Sequence, residues 1–306
     1  MNKTLRYGLI LTAIITGINL VFYSIAFAIN LFLVENITTR IILIVFPAIL
    51  SGGLIAYFIV SSSPIFREYL TTFRRLLRLE SLSHPLMVRF SHEAPGTYHH
   101  TLTVANISSR AAKTINADSL LTRVGAYYHD IGKIVQPDFF VENQSSSQNI
   151  HDQIENPEES AQIIINHVTN GVEIAKENHL PQEVINFIQQ HHGTSTVSYF
   201  YEKSKQDSQK TKKADFKYPG PKPQSAEIAI VMLADTLEAA VRSESDPTLT
   251  DIREIVNQAI EQKTNEGQLD NAALSAKQIS KLRRSFIESL NAIFHQRIQY
   301  PKENTK

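Results

Sequence analysis

The chain has 306 residues, 30 basic and 30 acidic side chains, and no cysteine. Zero net charge argues against a general binder of nucleic-acid polymers, which carries a basic excess. The missing cysteines exclude disulfides, thiolate zinc sites and a cysteine nucleophile, so any metal must rest on imidazole and carboxylate, a donor set that suits iron, manganese or zinc better than copper(I).

No charged residue occurs from Tyr7 to Val34, nor from Ile41 to Phe66. Each run is long enough for a helix to cross a hydrocarbon core of roughly 30 Å, which takes about 20 apolar residues. Ala26-Phe27-Ala28 resembles a signal-peptide cleavage site, but the apolar stretch continues through Leu31, Phe32 and Val34, which favours uncleaved insertion. Lys3 and Arg6 precede the first run, Arg67, Arg74, Arg75 and Arg78 follow the second, and the connection holds only Glu35 and Arg40. The positive-inside rule then predicts a transmembrane hairpin over 1–66 with both ends in the cytoplasm. The chain is expected to be a multi-pass protein of the cytoplasmic membrane, with its remaining residues in the cytoplasm. A basic juxtamembrane linker helix is predicted over 67–80; it belongs to a Ser62–Glu80 stretch whose apolar stripe is Ile65, Tyr69, Phe73, Leu76 and Leu77. Such a helix can carry contacts to a second copy, making a homodimer, or can lie on anionic membrane lipid. The sequence leaves both open.

From Ser81 to about Tyr300 the apolar residues recur at helical period with few alternating strand candidates, which predicts an all-α domain over 81–300 and a polar tail over 301–306. Pro157 stands at a predicted first turn with Glu158 and Glu159 behind it, and Pro181 likewise precedes Gln182 and Glu183. Residues 144–153, rich in Ser, Asn and Gln, read as a loop. The stretch from Glu202 to Ser225 is rich in lysine and contains Tyr218-Pro219-Gly220-Pro221-Lys222-Pro223. It reads as too polar and Pro-rich for the core, either a flap offering cations to a phosphorylated ligand or a solvated linker.

The candidate chemistry lies in the apolar helices. His129 and Asp130 follow Tyr127-Tyr128 in an apolar setting, where neither side chain is cheap to bury unless paired or ligating a metal. His100, His167, His191, His192 and Asp235 stand in or beside comparable apolar stretches. A carboxylate can bridge two ions, whereas an imidazole ligates one. His100, His129, Asp130 and Asp235 therefore make one ligand group, and His167, His191 and His192 make a second that shares Asp130. Two divalent ions so bridged would lower the pKa of a bound water and hold the oxygens of an in-line phosphoryl displacement. Lys133, four residues after His129, is expected on the same helix face, suited to holding a phosphate oxygen or the attacking hydroxide. His84, His92, His99, His179 and His295 are assigned no role, and His151 is left between a role behind the ligands and one against substrate.

The order H, HD, H, HH, D resembles that of HD-superfamily phosphohydrolases with a dinuclear centre. The finer text is similar to the membrane-bound, seven-transmembrane HD cyclic-di-AMP phosphodiesterases of the PgpH type. The matching pieces are Ala94-Pro95-Gly96-Thr97-Tyr98-His99-His100, Tyr128-His129-Asp130-Ile131-Gly132-Lys133, Phe140-Val141-Glu142-Asn143-Gln144 and His191-His192-Gly193-Thr194, followed by Tyr218-Pro219-Gly220-Pro221-Lys222-Pro223-Gln224 and Glu238-Ala239-Ala240-Val241-Arg242-Ser243. The resemblance implies an HD-type helical bundle, two iron or manganese ions on the seven residues counted above, and hydrolysis of cyclic di-AMP to 5′-pApA. Asp130 and Lys133 are then expected to be catalytic, with Lys133, Tyr218, Lys222 and Arg242 holding the cyclic dinucleotide. Such proteins carry seven spans and a large extracellular domain, whereas this chain shows two spans and no such domain. The alternatives are a cyclic di-GMP phosphodiesterase, another HD nucleotide phosphohydrolase, or a catalytically silent nucleotide receptor. The Gly-Tyr-Pro signature expected of the first is absent after His191-His192.

Overall fold

The computed structural model describes residues 16–19, 21–28, 36–62, 64–144, 149–207 and 211–294. They fall into two units that divide between Arg75 and Leu76. In the first unit, residues 16–19 and 21–28 are helical and α1 runs Ile37–Ser62. Asn36 Oδ1 accepts from the amides of Thr38 at 2.8 Å and Thr39 at 3.4 Å, satisfying donors that the first helical turn leaves free. The Tyr23 and Ser51 hydroxyls meet at 2.7 Å, so the two helical stretches touch. Phe22, Ile25, Phe46 and Ile49 are all exposed. Among the described residues no helix is long and apolar enough to cross a membrane, and much of the first expected span lies outside them.

Helix α2, Pro64–Leu79, contains the division between the units. Its C-terminal Leu76 and Leu79 are buried in the core of the second unit, while Phe73 and Leu77 are exposed. The inward stripe thus continues to Leu79 rather than Leu77. Beyond it come α3 (Pro85–Glu93), α4 (Pro95–Thr114), α5 (Ser119–Tyr128), α6 (Pro157–Glu177), α7 (Gln182–Gln190) and α8 (Ser198–Asp207), then α9 (Ala226–Ser243), α10 (Leu249–Asn265) and α11 (Ala276–Phe294). The described residues form no strand, only an isolated antiparallel bridge between Thr196 and Lys217. The all-α expectation holds for this unit.

The helix starts follow from local chemistry. Pro85, Pro95 and Pro157 each occupy a first helical position, where a missing N–H costs nothing. Asp118 accepts from the amides of Leu120 and Leu121, Asn156 from Glu158, and Ser225 from Ile228, while Thr248 and Asp251 form a reciprocal capping box. Pro181 is the residue before α7, not in its first turn. Helix α4 packs against α5, α9 and α11, and its buried face reads Val104, Ala105, Ile107, Ala111 and Ala112. Phe90, Tyr128, Phe187 and Phe286 are among the largest fully buried side chains of the same core.

The expectation that 202–225 stays out of the core is corrected. Phe216 is buried with Ala161 and Phe200, and Tyr218 is buried with Ile165 and Val168. The backbone is tied down as well: Val197 N donates to Phe216 O at 2.8 Å and Tyr218 N to Ser195 O at 3.0 Å. Two aromatic anchors outweigh the surrounding lysines because Lys205, Lys212, Lys213 and Lys217 are exposed while the rings pack against α6.

Candidate metal centre

Five elements converge on Asp130. The α5 helix ends at Tyr128, His129 caps it, and residues 131–135 form a 3₁₀ turn. This changes the role expected of Lys133. With about three residues per turn, Lys133 stands over Asp130 rather than His129. Its ammonium lies 2.8 Å from Asp130 Oδ2 and 2.9 Å from Glu142 Oε1, above the Phe140 ring at 4.9 Å. The turn presses against α6: a Cβ on Gly132 would overlap the carbonyl oxygen of His167 and the backbone of Gly171. Only glycine permits that approach, and it brings His167 Nε2 to 3.3 Å from Asp130 Oδ1.

The double histidine also lies past a helix end. His191 caps α7, Gly193 takes φ +54°, and the turn is held from the far side of the fold. Thr194 N donates to Gln268 Oε1 at 3.1 Å, and Lys263 Nζ donates to Ser195 Oγ at 2.8 Å. His191 Nε2 is 3.6 Å from Asp130 Oδ1. His192 points to the other carboxylate, with Nδ1 3.9 Å from Asp235 Oδ2, and stacks on Tyr218 at 4.2 Å between centroids. From α4, His100 Nε2 approaches Asp235 Oδ1 at 3.0 Å and Asp130 Oδ2 at 3.7 Å; His129 Nε2 lies 3.3 Å from Asp130 Oδ2.

These side chains form two groups, Asp130 with His167, His191 and His192, and Asp130 with His100, His129 and Asp235. Within each group one ligand atom per residue lies within 4.8 Å of the others. Asp130 is common to both. His192 and Asp235 are the partly exposed members, so the cluster opens to solvent on their side.

The hydrogen bonds around the rings show what the cluster requires. His129 Nδ1 meets Ala126 O at 2.7 Å, His167 Nδ1 meets Ile164 O at 2.5 Å, and His191 Nδ1 meets Ile188 O at 2.9 Å. A carbonyl oxygen only accepts, so each Nδ1 carries a hydrogen and Nε2 is the nitrogen left to face inward, free to ligate once the ring is neutral. His129 Nε2 and both Asp130 oxygens are buried without a hydrogen-bond partner, since Lys133 approaches Oδ2 outside hydrogen-bonding geometry. Imidazole nitrogens and carboxylate oxygens converging in a dry interior without mutual hydrogen bonds are suited to sharing a cation. The clusters therefore fit divalent metal ions, through nitrogen and oxygen donors alone.

The electrostatics differ between the groups. Burial opposes charge on His129, but the Asp130 and Asp235 carboxylates outweigh it and raise its pKa to about 10. His100 is raised in the same way, burial being outweighed by Asp235 and Glu238. Burial prevails at His167, lowering it to about 3, and at His192, which is also lowered by its neighbour His191. Asp130 and Asp235 are held well below the usual carboxylate range despite burial, by His129 and Lys133 in one case and by His100 and His129 in the other.

The seven expected ligands all meet here. Tyr218 joins them through its stack on His192. Arg242 stands behind His100, its Nη2 3.1 Å from Glu238 Oε2, while Lys222 is paired with Asp270 at 3.5 Å and is not among the side chains that meet at Asp130 and Asp235. His151 packs between Phe139 and Phe200, with Nε2 3.0 Å from Phe139 O, outside both groups. His99 is exposed, and His295 lies outside the described residues. Two acidic groups were missed. Glu142 holds Lys133, and Glu238 lies 2.6 Å from His100 Nδ1. The signal for Glu238 was its place one turn after Asp235 on the same face of α9.

The HD-domain family profile matches residues 97–240. The chain is 45% identical over 255 residues to the cyclic-di-AMP phosphodiesterase PgpH of Listeria monocytogenes, covering 82% of this chain and 35% of that one. It is 38% identical over 297 residues to the cyclic-di-AMP phosphodiesterase PgpH of Bacillus subtilis, covering 95% and 42%. It thus spans between a third and a half of the length of these curated relatives. The crystal structure of the L. monocytogenes PgpH HD domain in complex with cyclic di-AMP matches with a TM-score of 0.67 and 47% identity, over 71% of this chain and all of that one.

Proposed function

The chain belongs to the HD-domain family, and on that premise we propose that it is a dinuclear-metal phosphodiesterase that hydrolyses cyclic di-AMP to linear 5′-pApA. The observation that carries this reading is the pair of largely buried histidine–aspartate groups sharing Asp130, with inward ring nitrogens converging on carboxylate oxygens. His100, His129, Asp130 and Asp235 would hold one ion, and Asp130, His167, His191 and His192 would hold the other, iron or manganese in each case. Bound there, such ions lower the pKa of a water and neutralise charge on a phosphoryl group.

The remaining roles belong to the chain's own side chains. Glu142 keeps Lys133 charged and in place, so the ammonium can neutralise a phosphate oxygen beside Asp130. Tyr218 braces His192 and walls the open side of the cluster. Arg242 and Lys222, both partly exposed, supply cations for the second phosphate. Membrane anchorage is part of the proposal, supported by the two charge-free runs and by the outward-facing Phe22, Ile25, Phe46 and Ile49. The exposed Phe73 and Leu77 of α2 are assigned to a contact with a second copy at the cytoplasmic face of the bilayer.

The test is turnover of cyclic di-AMP and cyclic di-GMP side by side by the purified full chain loaded with Mn²⁺ or Fe²⁺. Cleavage of cyclic di-AMP to pApA, lost in Asp130→Ala together with bound metal, is expected. Metal-loaded protein that leaves cyclic di-AMP intact would overturn the enzymatic reading.

A further inference from the structure

Three of the inward-facing histidines, His129, His167 and His191, have Nδ1 fixed by the backbone of their own segment. No side-chain substitution removes those acceptors. His100 differs. Its Nδ1 meets the Glu238 carboxylate at 2.6 Å, supplied by a helix 138 residues away in sequence. Glu238 is only 3% exposed and belongs to neither ligand group. It stands one turn from Asp235 on α9, so a single helix face presents one carboxylate to Nε2 of His100, at 3.0 Å, and another to Nδ1. Arg242, one turn further, places Nη2 3.1 Å from Glu238 Oε2, within 3.4 Å of the same imidazole nitrogen. The order along α9 is thus ligand, orienting carboxylate, compensating cation.

We infer that Glu238 is a positioning residue that sets the metal affinity of the His100 position and leaves the His167 position alone; this rests on the metal-centre reading above. A carboxylate accepts and does not donate, so it keeps a hydrogen on Nδ1 and leaves Nε2, aimed at Asp235 and Asp130, as the nitrogen that would ligate an ion. The negative charge also makes the imidazole a stronger donor to a cation, and loss of such a partner typically costs ten- to a hundredfold in metal affinity. Arg242 partly offsets the carboxylate charge and holds it in place against the ring. Because His129, His167 and His191 lean on backbone carbonyls and His192 does not touch Glu238, the effect of losing Glu238 falls on one ion only.

The experiment is a calorimetric Mn²⁺ titration of the full chain and of its Glu238→Gln and Glu238→Ala variants. Glu238→Gln keeps an accepting oxygen and nearly the same shape, so one of the two binding events should weaken about tenfold. Glu238→Ala should weaken the same event about a hundredfold, with the other unchanged in both variants. Partial rescue by glutamine separates orientation of the ring from simple packing. Two ions bound equally by all three proteins, or both events weakened together, would overturn this inference while leaving the metal centre standing. Wild-type protein that takes up no Mn²⁺ would overturn the metal-centre reading, and this inference with it.

Discussion

Metal uptake at the two positions should respond to pH with different slopes. A ligating imidazole must be free of its extra proton. In the metal-free chain His129 holds that proton well past neutrality, because the Asp130 and Asp235 carboxylates outweigh burial and raise its pKa from 6.5 to about 10. His167 never acquires it near neutrality, because burial lowers its pKa to about 3. Burial likewise lowers His192. Between about pH 6 and 8, an ion entering the His100–His129–Asp130–Asp235 group must displace at least the His129 proton. Mass action then raises apparent affinity about tenfold per pH unit for each proton, or about a hundredfold over that interval. An ion entering the other group displaces no proton from His167 or His192, and its affinity should rise less steeply with pH. Titrating Mn²⁺ calorimetrically in two buffers of different ionisation enthalpy counts the protons directly. Equal pH slopes for the two events, or uptake of both ions without proton release, would refute the electrostatic argument.

Acid should destabilise the metal-free protein through the same histidine. Since the folded pKa of His167 lies below 6.5, the unfolded chain binds more protons below that pH; the stability is full above pH 6.5 and is lost as pH falls toward 3. The drop corresponds to roughly 5 kcal/mol at 1.36 kcal/mol per pH unit, readable as a falling denaturant midpoint, and a midpoint level from pH 7 to 4 would contradict it. Gly132→Ala should destabilise the fold by about 1–3 kcal/mol or more and weaken metal uptake, because the new methyl has no room against the His167 carbonyl and Gly171 backbone. A stable variant with normal Mn²⁺ binding would show that α6 can yield there. Tyr128→Phe removes the 3.1 Å hydrogen bond from the buried hydroxyl to Leu79 O. A loss of about 1 kcal/mol in chemical denaturation is expected, and no loss would mean that the carbonyl finds another donor. Glu142→Gln should leave Lys133 without its second anion, lowering kcat for cyclic di-AMP while Mn²⁺ still binds. Unchanged turnover would remove Lys133 orientation from the proposed chemistry.

The residues that meet at the candidate metal centre were legible because histidine and aspartate in apolar helical stretches are costly to bury without a purpose, and His100, His129, Asp130, His167, His191, His192 and Asp235 all stood out against such surroundings. Glu142 and Glu238 stood within the matching motif pieces but carried no expected role. A glutamate on a helix or loop is ordinarily a solvated side chain, and only its neighbours in space reveal that it is dry. Lys133 was assigned to the right cluster through the wrong geometry, since helical spacing was carried past Tyr128 into a 3₁₀ turn. The lysine-rich stretch around Phe216 and Tyr218 misled in the same way: composition averages over residues, whereas burial is decided ring by ring.

Helix periods, caps and the identity of the seven candidate ligands are local properties, and the sequence determined them by itself, because each depends on a residue and its near neighbours in the chain. The sharing of Asp130 between two groups and the carboxylate behind His100 depend on distances between segments far apart in sequence. Those distances are set by how closely α4, α6, α7 and α9 pack, down to the missing side chain of Gly132. Only the tertiary structure could decide them.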